Sequence, residues 1–228
     1  MSTSPPAAAE PTPAGVPILV YPGRVRVLCV GGGPVAARKV AGMVDGGADV
    51  RVVAPEVVPE LCTAADAGRV AWQRREYRAG DVADAHLVIA ATADPVANAT
   101  VVTEADAAGR LCVRVDDAAG GSAALMGAVR RGPLVLGVST SGLAPGLTRL
   151  LRRELADRYG PEHGALAALW GELREDRRVV RAMSTMDRQT RRSRWRALYR
   201  SDILGAIRAG KLAEAKEAAL ACLLSSSD

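Results

Sequence analysis

The sequence predicts an open, doubly wound, mostly parallel α/β sheet followed by a small antiparallel hairpin and a helical C-terminal region. Apolar β-rich runs alternate with stretches of helical spacing up to about residue 117. The first of these runs breaks at three consecutive glycines, Gly31-Gly32-Gly33. Period-two patterning stops near Gly142, beyond which only helical spacing recurs.

Val25 to Val30 (VRVLCV) is the first strand, and Pro34 to Val44 the first helix, with Pro34 suited to a first-turn position. Gly46-Gly47 closes that helix, Asp49 to Val53 alternates as the second strand, and Pro55 ends it. A helix around Pro59 to Ala67 and a short strand over Val70 to Gln73 follow. His86 to Ala91 lacks alternation, as a strand buried on both faces does. A helix over Pro95 to Ala108 and a fifth strand over Leu111 to Val115 complete the sheet. Ala124 to Val129 and Leu134 to Val138, around a Gly-Pro turn, predict the hairpin. Leu147, Leu150, Leu151 and Leu155, then Leu166, Leu169, Trp170 and Leu173, then Trp195, Leu198 and Tyr199 mark helices. These helices are too few to shield a core alone, which points to a symmetric dimer.

Of the 228 residues, 49% are hydrophobic, enough for a buried core and incompatible with wholesale disorder. No apolar run approaches the roughly 20 residues of a membrane-spanning helix, so a soluble protein is expected. Residues 1–15 are rich in Pro, Ala, Ser and Thr without a basic start, and are expected to be a disordered tail and not a secretory signal. Cys29, Cys62, Cys112 and Cys222 stand far apart with no metal-ligand spacing, which fits a reduced, cytoplasmic setting. No metal site is predicted. The net charge of +5 is carried almost wholly by arginine and invites a partner dense in carboxylates or phosphates.

Gly31 to Ala36 matches G-x-G-x-x-[GA] between a strand and a helix, the context of a dinucleotide-binding turn in a Rossmann-like fold. Gly31 permits the tight turn, Gly33 lets the backbone approach a pyrophosphate, and Ala36 allows close helix packing. The expected ribose acid is Glu56, displaced slightly by Pro55 at the end of the second strand. NAD is favoured over NADP, although Arg51 would reach a 2′-phosphate if it faced that way. Thr92 closes the fourth strand at the ligand-binding edge, and Asp94 suits either that edge or the N-cap of the next helix. Asp116 and Asp117 end the fifth strand; adjacent strand residues point to opposite faces, so at most one enters the cleft while the other caps a turn. His86 and His163 have no predicted partner. Ser139 to Gly142 reads as a hydroxyl-rich turn before a helix. Arg174, Arg177, Arg178, Arg181, Arg188, Arg191, Arg192, Arg194 and Arg196 form basic faces that suit a polycarboxylate or solvent equally.

Taken together, GGGPVAARK (Gly31 to Lys39), IAATAD (Ile89 to Asp94), VDDA (Val115 to Ala118) and PLVLGVSTSGLAPGLTRLLR (Pro133 to Arg152) resemble the precorrin-2 dehydrogenase, or siroheme synthase N-terminal domain, family. The resemblance runs from about Val16 to Leu224. It implies NAD-dependent oxidation of precorrin-2 to sirohydrochlorin, with ferrous iron insertion added in bifunctional members, by a homodimer. It divides the chain into an NAD-binding domain over 16–117, a dimerisation region over 118–150 and a helical domain over 151–228. It places dinucleotide contacts at Pro34 and Val35, and at Pro55 and Glu56. The essential aspartate of its V-D motif maps to Asp116 by the left flank and to Asp117 by the right; Asp116 is preferred. Thr140 falls where some members carry a serine. The chain departs from the family pattern in its Ala118 to Gly121 loop and in lacking phenylalanine.

Two other functions fit parts of the sequence. One is a non-catalytic NAD-sensing module. The other is nucleic-acid binding through the arginine helices, which no recognised motif accompanies. The protein is expected to be an enzyme acting on a tetrapyrrole, without nucleic acid or membrane partners.

Overall fold

The computed structural model describes residues 15–199 and 202–225, so the tail expected before Gly15 lies outside the described residues. The chain forms two units. Of the described residues, those up to 125 together with 140–144 make up one, and 126–139 together with those from 145 onward make up the other.

In the first unit, five parallel strands β1 (Arg26–Val30), β2 (Asp49–Val53), β3 (Ala71–Gln73), β4 (Leu87–Ala90) and β5 (Leu111–Arg114) lie in the order β3-β2-β1-β4-β5. The order reverses at β1, and the carboxyl ends of β1 and β4 are where this architecture opens a crevice. Side chains alternate between two cores. Val27, Cys29, Val50, Val52, Leu87 and Ile89 pack with α1 (Pro34–Val44) and α2 (Pro59–Asp66). Leu28, Val30, Val53, Val88, Ala90 and Cys112 pack with α3 (Pro95–Ala107). Both faces of β4 are buried, which explains why its sequence does not alternate. Each of the three helices opens on a proline, whose fixed φ and missing N–H suit the first turn. Cys29 and Cys112 are packing residues: burial pushes their thiols up to about 12 and about 11.

The second unit begins with a hairpin of β6 (Gly127–Arg131) and β7 (Leu134–Val138). Gly132, at φ +54°, takes the first central position of its two-residue loop. The first of these strands starts and ends later than the sequence pattern suggests, because Arg130 and Arg131 belong to the ladder and not to the turn. Arg131 donates to the carbonyls of Ala156 and Tyr159 at the end of α4 (Pro145–Arg158), a use of its charge that favours the strand position.

Helices α5 (Pro161–Glu175), α6 (Arg177–Ser184), α7 (Arg188–Leu198), α8 (Ile203–Arg208) and α9 (Leu212–Leu224) follow. They close a core of their own around Leu169, Leu173, Val179, Leu198, Ala215 and Leu223. The expected shortage of shielding is therefore confined to α4, which has no buried residue; Leu147 and Leu150 are 47% and 53% exposed. No helix of the described residues is long and apolar enough to cross a membrane.

Candidate active site

The three glycines that end β1 meet different surroundings. Gly31, at φ +116°, lies so close to the end of β4 that a Cβ there would collide with the Ala91 carbonyl. At Gly32 a Cβ would collide with the Glu56 carbonyl, and the Gly32 oxygen accepts from Val58 N–H at 2.8 Å. At Gly33 a Cβ would meet nothing within 4 Å. Gly31 and Gly32 are therefore packed against protein, whereas Gly33 faces open space.

Gly33 is the N-cap of α1 and offers no side-chain cap. Helix geometry leaves the amides of Gly33, Val35 and Ala36 over at this end, Pro34 having none, and the helix dipole adds partial positive charge. Val35 is exposed and Ala36 is buried against the sheet. This cradle, open where a side chain would fill it, fits the pyrophosphate of a dinucleotide. Pro55 and Glu56 are exposed beside it, brought there by the contact of Glu56 with Gly32. Arg51 is directed elsewhere: its guanidinium donates to the Asp81 carbonyl, partway along β2, so the expectation that it could reach a ribose phosphate does not hold.

At the ends of β4 and β5 the candidates Thr92 and Asp116 are joined through a residue that is not among the sequence candidates. Asn98 of α3 is 0% exposed. Its Oδ1 accepts from Thr92 N–H at 3.0 Å and Thr92 Oγ1 at 2.8 Å, and its Nδ2 donates to Thr92 O at 3.2 Å and to Asp116 Oδ1 at 2.9 Å. A buried amide must satisfy both its ends, and this one does. From the other side, Arg114 Nη2 donates to Asp116 Oδ2 at 2.9 Å and Arg114 Nε to Oδ1 at 3.1 Å. The Arg114 guanidinium, helped by the Asn98 amide, holds the Asp116 carboxyl below the usual carboxylate range. Asp116 is thus a fixed anion at neutral pH.

Asp117 accepts from Ala119 N–H at 3.1 Å and serves the turn. Asp94 is the N-cap of α3, accepting from Val96 N–H at 2.8 Å. His86 has a partner after all, for its Nδ1 accepts from Arg26 N–H at 2.9 Å. His163 belongs to the second unit, where it lies edge-on to Tyr159. Thr140 Oγ1 accepts from Ala144 N–H at 3.1 Å. Of the arginines of α5 to α7, Arg194 is buried and donates to the Leu223 carbonyl, Arg178 pairs with Asp176, Arg174 lies over the Trp195 ring and Arg191 donates to the Met186 carbonyl. Arg177, Arg181, Arg188, Arg192 and Arg196 are exposed. A sequence signal for Asn98 did exist: it is a polar residue on the helical stripe of Val101, Val102 and Ala105, a position that demands a partner.

A family model described as NAD(P)-binding matches residues 18–126, and one described as sirohaem biosynthesis protein central matches residues 131–158. Siroheme synthase 3 of Aeromonas hydrophila is 40% identical over 195 residues, covering 85% of this chain and 41% of that protein. A siroheme synthase of Pseudomonas putida is 41% identical over 194 residues, covering 84% and 40%. The chain thus spans about two-fifths of the length of these relatives. Among solved structures, SirC, precorrin-2 dehydrogenase, shares the fold with a TM-score of 0.68 at 24% identity, over 90% of this chain and 99% of that one.

Proposed function

We propose that the chain is a member of the siroheme synthase N-terminal domain family and an NAD-dependent precorrin-2 dehydrogenase. Precorrin-2 and NAD⁺ give sirohydrochlorin, NADH and a proton. The observation that carries this reading is one sheet edge that holds an open dinucleotide cradle at Gly33, where β1 ends, and a fixed carboxylate at Asp116, which Asn98 ties by hydrogen bonds to Thr92 at the end of β4.

In this reading the amides of Gly33, Val35 and Ala36 hold the pyrophosphate, and Glu56 accepts from the ribose hydroxyls beside Pro55. NAD⁺, when bound, supplies the hydride acceptor. Asp116 accepts or relays the proton released as the hydride leaves. Its pairing with Arg114 weakens it as a base, and a substrate carboxylate that competed for the guanidinium would restore its basicity. Asp117 is committed to its turn and takes no part.

The enzyme acts in the cytoplasm as a homodimer, a state supported by the exposed Leu147 and Leu150 of α4. Ferrous iron insertion into sirohydrochlorin is a second activity to test in the same assay. Anaerobic incubation with precorrin-2 and NAD⁺ should yield one reduced nicotinamide per tetrapyrrole oxidised, and later addition of Fe²⁺ or Co²⁺ tests chelation. Cofactor binding with no absorbance change on adding precorrin-2 would overturn the dehydrogenase assignment in favour of a sensor.

A further inference from the structure

Among the described residues, two side chains with polar or charged ends are buried, Asn98 and Arg194. Arg194 is used on the carbonyl at the end of α9. Asn98 caps no helix. Its amide makes three hydrogen bonds with the backbone and hydroxyl of Thr92 and a fourth with the Asp116 carboxylate 18 residues away in sequence. The orientation of the amide is forced, since the Thr92 N–H can only donate and the ionised carboxylate can only accept.

We propose that Asn98 is a positioning residue that fixes the Asp116 carboxylate and ties it to Thr92, so that the acidic group and the end of β4 keep one register. The proposal rests on the function given above for its catalytic consequence, but its structural part does not. Burial makes the amide rigid, and rigidity is what a proton acceptor needs beside a large, loosely shaped substrate. Arg114 neutralises Asp116 from the exposed side and Asn98 sets its angle from the buried side. The other charged groups nearby, Asp94 and Asp117, are engaged in backbone caps.

The test is Asn98→Asp, which keeps shape and removes the donor. An acceptor oxygen would then face Asp116 across the 2.9 Å contact, and the two carboxyl groups would share one proton. The folded-state pKa of that pair lies above its unfolded value, so the stability it contributes is present at low pH and is lost as pH rises. Thermal melting of the full chain without cofactor should therefore be level from about pH 5 to 8 in the wild type and fall by several degrees over that range in N98D. NAD⁺ affinity should change less than about threefold. Turnover should fall at least tenfold at pH 8 and recover in part near pH 5. The N98D/D116N swap restores a donor to the contact, and should remove the pH dependence of melting while leaving turnover lost.

Level melting in N98D, or turnover within about twofold of the wild type at every pH, would overturn the proposal. If N98D does not fold, a swap that also fails to fold overturns it. A wild type inert towards precorrin-2 whose N98D variant still shows the melting signature would defeat the enzymatic reading and leave the positioning role standing.

Discussion

At Gly33 the absent side chain is useful space, whereas at Gly31 and Gly32 it is a packing requirement, and substitution should separate the two. Gly33 has φ −78° and ψ −179°, which any residue adopts, and no neighbour within 4 Å of an added Cβ. Gly33→Val should leave the melting temperature nearly unchanged and weaken NAD⁺ binding by about tenfold or more, read by fluorescence titration. Gly31→Ala and Gly32→Ala should each cost upwards of ~2 kcal/mol in chemical denaturation, because the new methyl meets backbone that cannot yield. Asp116→Ala should lower turnover by at least about 10²-fold with NAD⁺ affinity held within about twofold. Retained turnover would instead bring Asp117 forward. The glycine turn, Thr92 and the aspartate pair are legible in sequence because each is defined by its position at the end of a strand. Asn98 shows only as a polar residue on an apolar helical stripe, with nothing in sequence to name Asp116, 18 residues on, as its partner, and Arg114 shows only as a charge at the last position of an apolar strand.

Elements are legible where local chemistry punctuates them. Pro34, Pro59 and Pro95 each mark the first turn of a helix, and the two-faced burial of β4 is visible in its unbroken apolar run. The end of β6 is not legible in this way, since two arginines before Gly-Pro look like turn residues until the α4 carbonyls that Arg131 serves are known. Nor does helical spacing distinguish a helix with buried contacts from one without. Leu169 and Leu173 of α5 lie in a core, whereas Leu147 and Leu150 of α4 repeat at similar intervals and remain about half exposed. If those leucines are covered in a homodimer, Leu147→Glu with Leu150→Glu should convert it to monomer in light scattering. Circular dichroism should be unchanged, because no buried residue of α4 is disturbed. A variant that stayed dimeric would move the interface elsewhere.

Over the whole molecule the carboxylates set the acid limit of stability. Arg75 holds Asp81, Arg114 holds Asp116 and Arg178 holds Asp176, each pairing lowering the carboxyl below its ordinary value, with Asp176 brought down to about 2. Asp187, bonded to Thr190 at the start of α7, is lowered as well. These pairs lie in both units, so acid should weaken both. A carboxyl depressed in the folded chain contributes stability that is complete above its unfolded value, near 3.8 here, and is lost as pH falls through the folded value. The melting temperature should therefore hold level down to about pH 4.5 and then drop steeply towards pH 2. The exposed Arg178–Asp176 pair should contribute little of that drop, being screened by water and salt, while the less exposed Arg75–Asp81 pair should contribute more. Arg75→Met should accordingly lower the melting temperature at pH 7 and flatten the acid limb, whereas Arg178→Met should do neither to a comparable degree. Parallel acid limbs in the two variants would mean that burial does not decide which pair matters.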